Sequence, residues 1–197
     1  MKVFLCRHGQ TNQNKDNIVQ GQMDTHINDK GRKQAEKLAL RLEKNNIEYI
    51  YSSSMERAKE TAEIVSDTVG IDFESSPELK EISRAHFEGE KFEDLVDEIT
   101  SSDIEDYLWC PEGGESLEEL KERSTEFFNK LKHKHRRDTL AIISHGGTIS
   151  ATIMGILEHS SKNAYRFNQD NCCINEIKWS KERGWEILSL NDTHHLY

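Results

Sequence analysis

The stretch that decides the predicted fold is Val3-Phe4-Leu5-Cys6-Arg7-His8-Gly9-Gln10-Thr11. Its first four residues are apolar and typical of a buried strand, and the arginine and histidine follow where that strand ends. A second stretch has the same form, with Leu140-Ala141-Ile142-Ile143 followed by Ser144-His145-Gly146-Gly147-Thr148. The carboxyl ends of parallel strands open into a crevice in which ligands bind. We therefore expect His8 and His145 to lie together at one edge of a sheet.

Strand and helix patterns alternate along the chain. Residues 9–28 are polar and loop-like, whereas 31–45 have an apolar face typical of a helix. The further predicted elements are a strand at 47–51, a serine cluster at 52–54 that caps the helix following it, a strand at 71–74, a helix at 116–134, a strand at 140–143, a helix after Gly147 and an antiparallel hairpin of strands 174–179 and 185–190. This alternation predicts an α/β protein, a three-layer αβα sandwich with a mostly parallel central sheet.

Length and composition predict a single domain over residues 1–197. Prolines occur only at 77 and 111, and no Gly/Ser-rich stretch marks a linker. Residues 91–109 are polar and helical only in part, so we interpret the region at about 85–115 as a helical insertion that caps the site.

The charge balance argues against two classes of partner. The chain has 26 Lys and Arg residues against 36 Asp and Glu, a net charge of −10, which disfavours non-specific binding to nucleic acid or membranes. No apolar run approaches the length of a membrane span, and the start is too short for a signal peptide. The four cysteines have neither C-x-x-C spacing nor a secreted framework. We expect a cytoplasmic protein with reduced thiols.

The pairing of Arg7 with His8 predicts chemistry on phosphate. Guanidinium matches the geometry of phosphate oxygens, and a neutral imidazole is nucleophilic near neutral pH. Phosphoryl transfer requires such a nucleophile together with positive charge around the oxygens of the moving group. A covalent intermediate on histidine would divide one difficult step into two.

Spaced motifs along most of the chain closely resemble the histidine phosphatase superfamily, which contains cofactor-dependent phosphoglycerate mutases and many small-molecule phosphatases. The blocks that carry the resemblance, in family order, are Arg7-His8-Gly9-Gln10-Thr11 with Asn14, Gly21, Asp24 and Gly31-x-x-Gln34-Ala35, then 51–62, Leu79-Lys80-Glu81, Phe87-Glu88-Gly89, Pro111-x-Gly113-Gly114-Glu115-Ser116 and Ser144-His145-Gly146-Gly147.

The resemblance implies roles for individual residues. His8 corresponds to the nucleophile that becomes phosphohistidine, and Glu81 corresponds to the proton donor for the leaving alcohol. The charge on the phosphoryl group in transit would be stabilised by Arg7, Arg57 and His145. The residues that match phosphate- or substrate-binding positions are Thr11, Asn14, Gln20, Gly21 and the backbone at Gly146. Neither a metal nor a cofactor is implied, because guanidinium and imidazole supply the charge that Mg²⁺ would bring.

The same resemblance favours a phosphatase over a mutase. His145 follows Glu81 by 64 residues, as in the shorter phosphatase branch, and Arg84 is the only arginine between Glu81 and Glu122. Phe87-Glu88-Gly89 and Gly147 also match the phosphatases. Mutases usually have asparagine at the position of Gly147. Two alternatives stay open, a cofactor-dependent phosphoglycerate mutase and a phosphate-binding module without turnover. The expected partner is a small phosphorylated metabolite of unspecified identity, and the oligomeric state, a homodimer included, is open.

Other polar residues have simpler interpretations. We expect solvated surface positions for five histidines, His26, His86, His133, His135 and His159. The adjacent pair His194-His195 is interpreted as a polar terminus rather than a metal site. The basic run at 132–137 ends a helix, where positive charge complements the helix dipole. Cys172 and Cys173 are expected to be structural residues in a strand.

Overall fold

One six-stranded sheet forms the centre of the molecule. In the computed structural model, which describes residues 1–197 apart from the side chains of Asn163 and Tyr165, the sheet has the order β3-β2-β4-β1-β5-β6. Its strands are β1 (Lys2–Arg7), β2 (Tyr49–Ser53), β3 (Phe73–Ser76), β4 (Thr139–Ser144), β5 (Ile174–Ser180) and β6 (Gly184–Asp192). The first four strands in that order are parallel, whereas β5 runs antiparallel to β1 and β6 antiparallel to β5.

Helices cover both faces of the sheet, so the predicted three-layer α/β architecture is confirmed. The helices are α1 (Asn12–Lys15), α2 (Asp29–Glu43), α3 (Glu56–Val69), α4 (Phe92–Ser101), α5 (Leu117–Lys134) and α6 (Gly146–Ile156). Short 3₁₀ turns lie at Pro77–Leu79, Ala85–Phe87, Ser161–Arg166 and His194–Leu196. One apolar core packs α2 and α3 against the sheet, and a second packs α5 and α6 against the other face.

Strand β1 lies between these two cores. Phe4 and Cys6 belong to the core under α2 and α3, whereas Val3 and Leu5 belong to the core under α5 and α6. Side chains alternate between faces along a strand, and a strand covered on both faces is continuously apolar. All four of these residues are at most 1% exposed. The apolar run that begins the chain is therefore explained by burial on both sides.

The order of the strands brings the two histidine-bearing stretches together. The chain leaves β1, builds β2 and β3 outward, and returns to insert β4 between β2 and β1. Arg7 and Ser144 are paired residues at the carboxyl ends of β1 and β4. Because the connections on the two sides of this point run in opposite directions, a crevice opens there, as expected for open α/β sheets.

Two elements were not expected in detail. Residues 9–28 were predicted as loop, but Thr11 begins the short helix α1 with a capping box in which Asn14 takes part. Helix α4 accounts for the helical part of residues 91–109, and its Leu95 and Ile99 pack with Val19. This small cluster is separate from the two main cores, and it joins α4 to the loop that follows α1.

Three local predictions were wrong. His135 is 2% exposed rather than solvated, because its Nδ1 lies 2.9 Å from Asp138 Oδ2 and its Nε2 lies 2.8 Å from the Tyr51 hydroxyl. Cys172 and Cys173 lie in the turn before β5 rather than in a strand. The serines at 52–54 do not cap α3, whose N-cap residue is Met55 and has no side-chain capping bond.

Two findings concern metals and membranes. Among the described side chains, no group of three or more His, Cys, Asp and Glu residues is arranged to hold a metal ion. His194 is exposed, and the Nε2 of His195 lies 3.0 Å from the carbonyl oxygen of Cys172. None of the helices in the described part of the chain combines the length and apolar character that a membrane span requires.

Candidate active site

The floor of the crevice is built by the residues that end β1 and β4. The His8 N–H donates to the carbonyl of Ser144 at 3.0 Å, so the two chain segments remain joined beyond the strands. The rings of His8 and His145 lie 5.1 Å apart between centroids. His8 is 2% exposed and His145 is fully buried. The prediction that the two strand ends would bring these histidines together is confirmed by this geometry.

The hydrogen bond at one ring nitrogen of His8 defines its tautomer. Nδ1 lies 2.7 Å from the Gly9 carbonyl oxygen, which can only accept, so Nδ1 carries the proton. In the neutral ring, Nε2 then holds an unshared electron pair. Burial lowers the pKa of His8 well below its ordinary value, and the positive charges of Arg57 and Arg7 lower it further. His8 is therefore a neutral imidazole with a free Nε2 at neutral pH.

Arg57 is the central cation of the floor and is 1% exposed. Its Nη1 donates to the carbonyl of Met23 at 2.9 Å, and its Nη2 donates to the carbonyl of Gly21 at 2.8 Å. Burial lowers the pKa of Arg57 to about 10, which leaves it charged at neutral pH. Arg57 is the second residue of α3, and its side chain is buried in the floor of the crevice.

The contact between Arg57 and His145 fixes the second imidazole. Arg57 Nε donates to His145 Nδ1 at 3.2 Å, so Nδ1 is the unprotonated ring nitrogen of His145. His145 Nε2 then donates to Ser53 Oγ at 2.8 Å. Burial, followed by the charge of Arg57, lowers the pKa of His145 well below its ordinary value. Sequence reasoning missed Ser53 because it treated residues 52–54, which follow the strand predicted at 47–51, as helix caps, whereas Ser53 is the last residue of β2.

Glu88 fastens the loop that holds Arg57. Its Oε1 accepts the N–H groups of Gln22 at 2.8 Å and Arg84 at 3.0 Å. Gly21 has a φ of +45°, and a Cβ there would lie 2.2 Å from the same oxygen. Glycine is therefore required at position 21 by backbone conformation and by the close approach of Glu88.

Glu81 lies at the N-terminus of α6. Its carboxylate accepts the N–H groups of Ile82 at 2.9 Å, Gly147 at 3.0 Å and Thr148 at 3.1 Å. Backbone N–H groups at a helix N-terminus favour negative charge, so this carboxylate completes the start of the helix. A Cβ at Gly147 would lie 2.6 Å from Glu81 Oε1. The glycine therefore allows the carboxylate to reach the helix.

The strap at residues 78–81, which carries Glu81, is held through its carbonyl oxygens. Arg123 Nη1 donates to the carbonyls of Glu78 at 2.7 Å and Lys80 at 3.1 Å. The rest of the Arg123 guanidinium binds both carboxylate oxygens of Glu115 at 2.8 Å. Sequence reasoning missed Arg123, which lies on a helix 42 residues after the carboxylate it positions.

Three other predicted residues form a polar wall beside His8. Thr11 is fully buried, and its hydroxyl lies 3.0 Å from Gln20 Oε1 and accepts the N–H of Asn14 at 3.0 Å. Asn171, which was not predicted, donates through Nδ2 to the His8 carbonyl at 3.1 Å and to Asn14 Oδ1 at 3.2 Å. Thr11 thus supports Asn14 and Gln20 from behind rather than facing the crevice.

A cavity of about 390 Å³ opens above this floor. Eight of the ten predicted site residues line it, namely Arg7, His8, Asn14, Gln20, Gly21, Arg57, Glu81 and Gly146. His145 and Thr11 lie beneath the lining residues. The volume is typical of a small-molecule site.

Comparisons with known proteins match almost the whole chain. The profile described as Histidine phosphatase superfamily (branch 1) matches residues 3–193. The chain is 30% identical over 199 residues to Putative phosphoserine phosphatase 2 of Hydrogenobacter thermophilus, covering 98% of this chain and 97% of that protein. It is 29% identical over 209 residues to Phosphoglycerate mutase-like protein 4 of Arabidopsis thaliana, covering 99% and 86%.

A solved structure has the same fold over its whole length. Phosphoserine phosphatase of Entamoeba histolytica, determined in complex with 3-phosphoglyceric acid, superposes with a TM-score of 0.87. The two chains are 27% identical, with coverage of 100% of this chain and 99% of that one. That protein binds a small phosphorylated acid within this architecture.

The buried neutral histidines predict a pH dependence of stability. Below pH 6.5 the unfolded chain binds a proton on each histidine that the folded state leaves neutral, so stability falls as pH falls. Each of His8 and His145 contributes a slope that rises from about 0.7 toward a limit of about 1.4 kcal/mol per pH unit as the pH falls below 6.5 and the unfolded histidine becomes fully protonated. The variant His8→Asn should lose one such contribution when urea unfolding is measured at pH 6.5 and 5.5. The exposed His133→Asn variant is the control, and equal slopes for both variants would contradict the assignment.

Proposed function

Because the chain belongs to the histidine phosphatase superfamily, we propose that it is a metal-independent phosphomonoesterase that acts on a small phosphorylated metabolite. The observation that carries the proposal is the unprotonated Nε2 of a neutral His8 beside the buried guanidinium group of Arg57 and the half-buried guanidinium group of Arg7. A nucleophile and fixed positive charge are what phosphoryl transfer requires. The relative named as a phosphoserine phosphatase supports hydrolysis as the outcome.

The first half-reaction forms a phosphohistidine. The electron pair of His8 Nε2 attacks phosphorus, an N–P bond forms, and the bond from phosphorus to the ester oxygen breaks. The leaving oxygen takes a proton from the carboxyl group of Glu81. In the structure the Glu81 carboxyl group lines the cavity and accepts the N–H groups of Gly147 and Thr148 at the start of α6.

The second half-reaction returns the enzyme to its starting state. Water attacks phosphorus, the N–P bond breaks, and the electron pair returns to Nε2. The proton released by water goes to the Glu81 carboxylate, which is thereby ready to serve as the acid again. The reaction therefore needs only water as the second substrate.

Arg7 and Arg57 supply the electrostatic stabilisation in both steps. The Nε of Arg7 is buried and has no hydrogen-bond partner in the part of the chain that the structure describes. A phosphoryl oxygen would satisfy this donor and balance the charge of both guanidinium groups. His145 acts beneath them, with its orientation fixed by Arg57 and Ser53.

A phosphoglycerate mutase is the second candidate, because several relatives carry phosphoglycerate mutase names. A mutase shares the first half-reaction and then transfers the phosphoryl group to a second hydroxyl rather than to water. Retention of a bisphosphate requires additional cations around the cavity. Arg84, the single arginine between Glu81 and Glu122, is 6% exposed and already engaged by other groups of the protein. Apart from Arg84 and the two arginines of the floor, Arg166 is the one arginine among the described residues that lines the cavity, and we therefore place hydrolysis before the mutase reaction.

A direct assay separates these functions. We expect release of inorganic phosphate from phosphomonoesters in the presence of EDTA and without 2,3-bisphosphoglycerate, because protein side chains supply both nucleophile and charge. The assay includes 3-phosphoglycerate with and without the bisphosphate. Isomerisation that depends on the bisphosphate would establish the mutase. Loss of activity on chelation, restored by a divalent ion, would overturn metal independence, and binding without turnover would indicate a phosphate-binding module.

The nucleophile can be trapped chemically. Rapid quenching with ³²P-labelled substrate should yield acid-labile, base-stable phosphate on the wild-type chain and none on His8→Ala, which should also lose turnover. Circular dichroism checks that the variant folds, and His133→Ala is the matched histidine control. Undiminished turnover in His8→Ala would end the assignment of His8 as nucleophile.

The acid role of Glu81 predicts a dependence on the leaving group. Glu81→Gln should lose about 10²-fold or more in kcat/KM on an alkyl phosphate, because a poor leaving group needs the proton. On p-nitrophenyl phosphate the loss should be much smaller. Glu115→Gln, which loosens the strap through Arg123, should reduce both activities alike. The same parallel loss in Glu81→Gln would show that Glu81 only anchors the helix.

A further inference from the structure

The part of the cavity beyond the phosphate-binding floor has an apolar wall. The side chains that form this wall come from four separate segments and are Ile18, Val19, Ile82, Phe92, Leu95 and Phe167. Phosphate chemistry at the floor needs none of them. In the proposed function the phosphoryl group occupies the floor. The wall would then face the alcohol part of a bound ester.

Helix α4 is fixed over the cavity at the end that carries Phe92. The Phe92 N–H donates to the Asn17 carbonyl at 2.9 Å, and Ile18 pairs with Lys91 in an isolated antiparallel bridge. Leu95, one turn further along α4, is 2% exposed and packs with Val19. The apolar wall is therefore anchored in the free protein rather than assembled by a ligand.

Phe92 differs from the other residues of the apolar wall because more than half of its side chain is exposed. Phe92 is 55% exposed although it lines the cavity and follows directly on the anchored residues. An exposed aromatic ring gains free energy when a ligand covers it, in proportion to the apolar area removed from water. A polyhydroxylated alcohol would remove little such area.

The charged lining residues offer weaker recognition of the alcohol. Arg84 also lines the cavity but is already engaged by the protein, and Arg166 is exposed to solvent. An ion pair with a solvated guanidinium contributes little to binding, whereas apolar contact with a preformed wall does not depend on charge. Apolar contact with the anchored wall is therefore the interaction on which we base the class of leaving group.

We propose that the substrates of this site are phosphate esters whose alcohol presents an apolar alkyl or aryl face to Phe92 and Leu95. This inference rests on the proposed phosphatase function and specifies its substrate class. It predicts that the phosphate esters of short hydroxy acids and of sugars are poorer substrates than the phosphate esters of apolar alcohols of similar size.

A homologous series of n-alkyl phosphates tests the proposal, because chain length changes apolar contact while the leaving group stays chemically equivalent. From ethyl to hexyl phosphate, kcat/KM should rise about two- to fourfold per methylene, the upper value corresponding to full burial of each group. Phe92→Ser should flatten this rise. Val96→Ser is the matched control, since Val96 lies on α4, is 39% exposed and does not line the cavity.

Two outcomes would overturn the proposal, and both differ from a failure of the phosphatase function. A flat series would do so, as would a higher kcat/KM for 3-phosphoglycerate than for butyl phosphate. If no ester is hydrolysed, the phosphatase function fails, and calorimetric binding of n-alkylphosphonates, which contain no ester bond, still measures the chain-length effect. Affinity for these phosphonates that is independent of chain length would then reject the apolar wall as a binding surface.

Discussion

The burial of positive charge without an equal number of carboxylates is the constraint on which the site depends. Arg57 is nearly inaccessible to solvent. Burial lowers the pKa of both Arg57 and Arg7, and the negative charge of Glu81 is the largest influence that raises it again. A buried cation must be paired or hydrogen-bonded, and here main-chain carbonyls supply the bonds. The loop around residue 21 provides these oxygens in its observed conformation. A phosphate dianion would complete the charge balance.

The histidines acquire their protonation state from the same constraint. Burial disfavours a proton on either ring, and the fixed cations disfavour it further, so His8 and His145 both have pKa values well below the ordinary range. An imidazole that stays neutral keeps its electron pair available for attack. In the proposed mechanism, the arginines that stabilise the phosphate therefore also help burial to keep His8 in its reactive form.

The sequence predicted what depends on local pattern and on family motifs. The apolar runs of β1 and β4 indicated two buried strands, and the motifs after them located both histidines, Arg57 and Glu81 in one crevice. The failures share a different cause. His135, Ser53 and Arg123 are defined by partners distant in the chain, such as Tyr51 for His135 and the carbonyls of the strap for Arg123. Single polar residues show no periodicity from which such contacts can be deduced.

The small apolar cluster under α4 is separate from the two cores that support the sheet, so the wall of the cavity and its floor are stabilised by different sets of residues. Val19, Leu95, Ile99 and Trp109 pack with one another, apart from the cores that support the sheet. Substitutions in α4 therefore change the walls of the cavity at little cost to the folding of the catalytic floor. Under the proposed function, mutation of one short helix would therefore change which alcohols the cavity accepts while the residues of the floor stay the same. Substrate range would then be able to change in evolution without a change in the reaction itself.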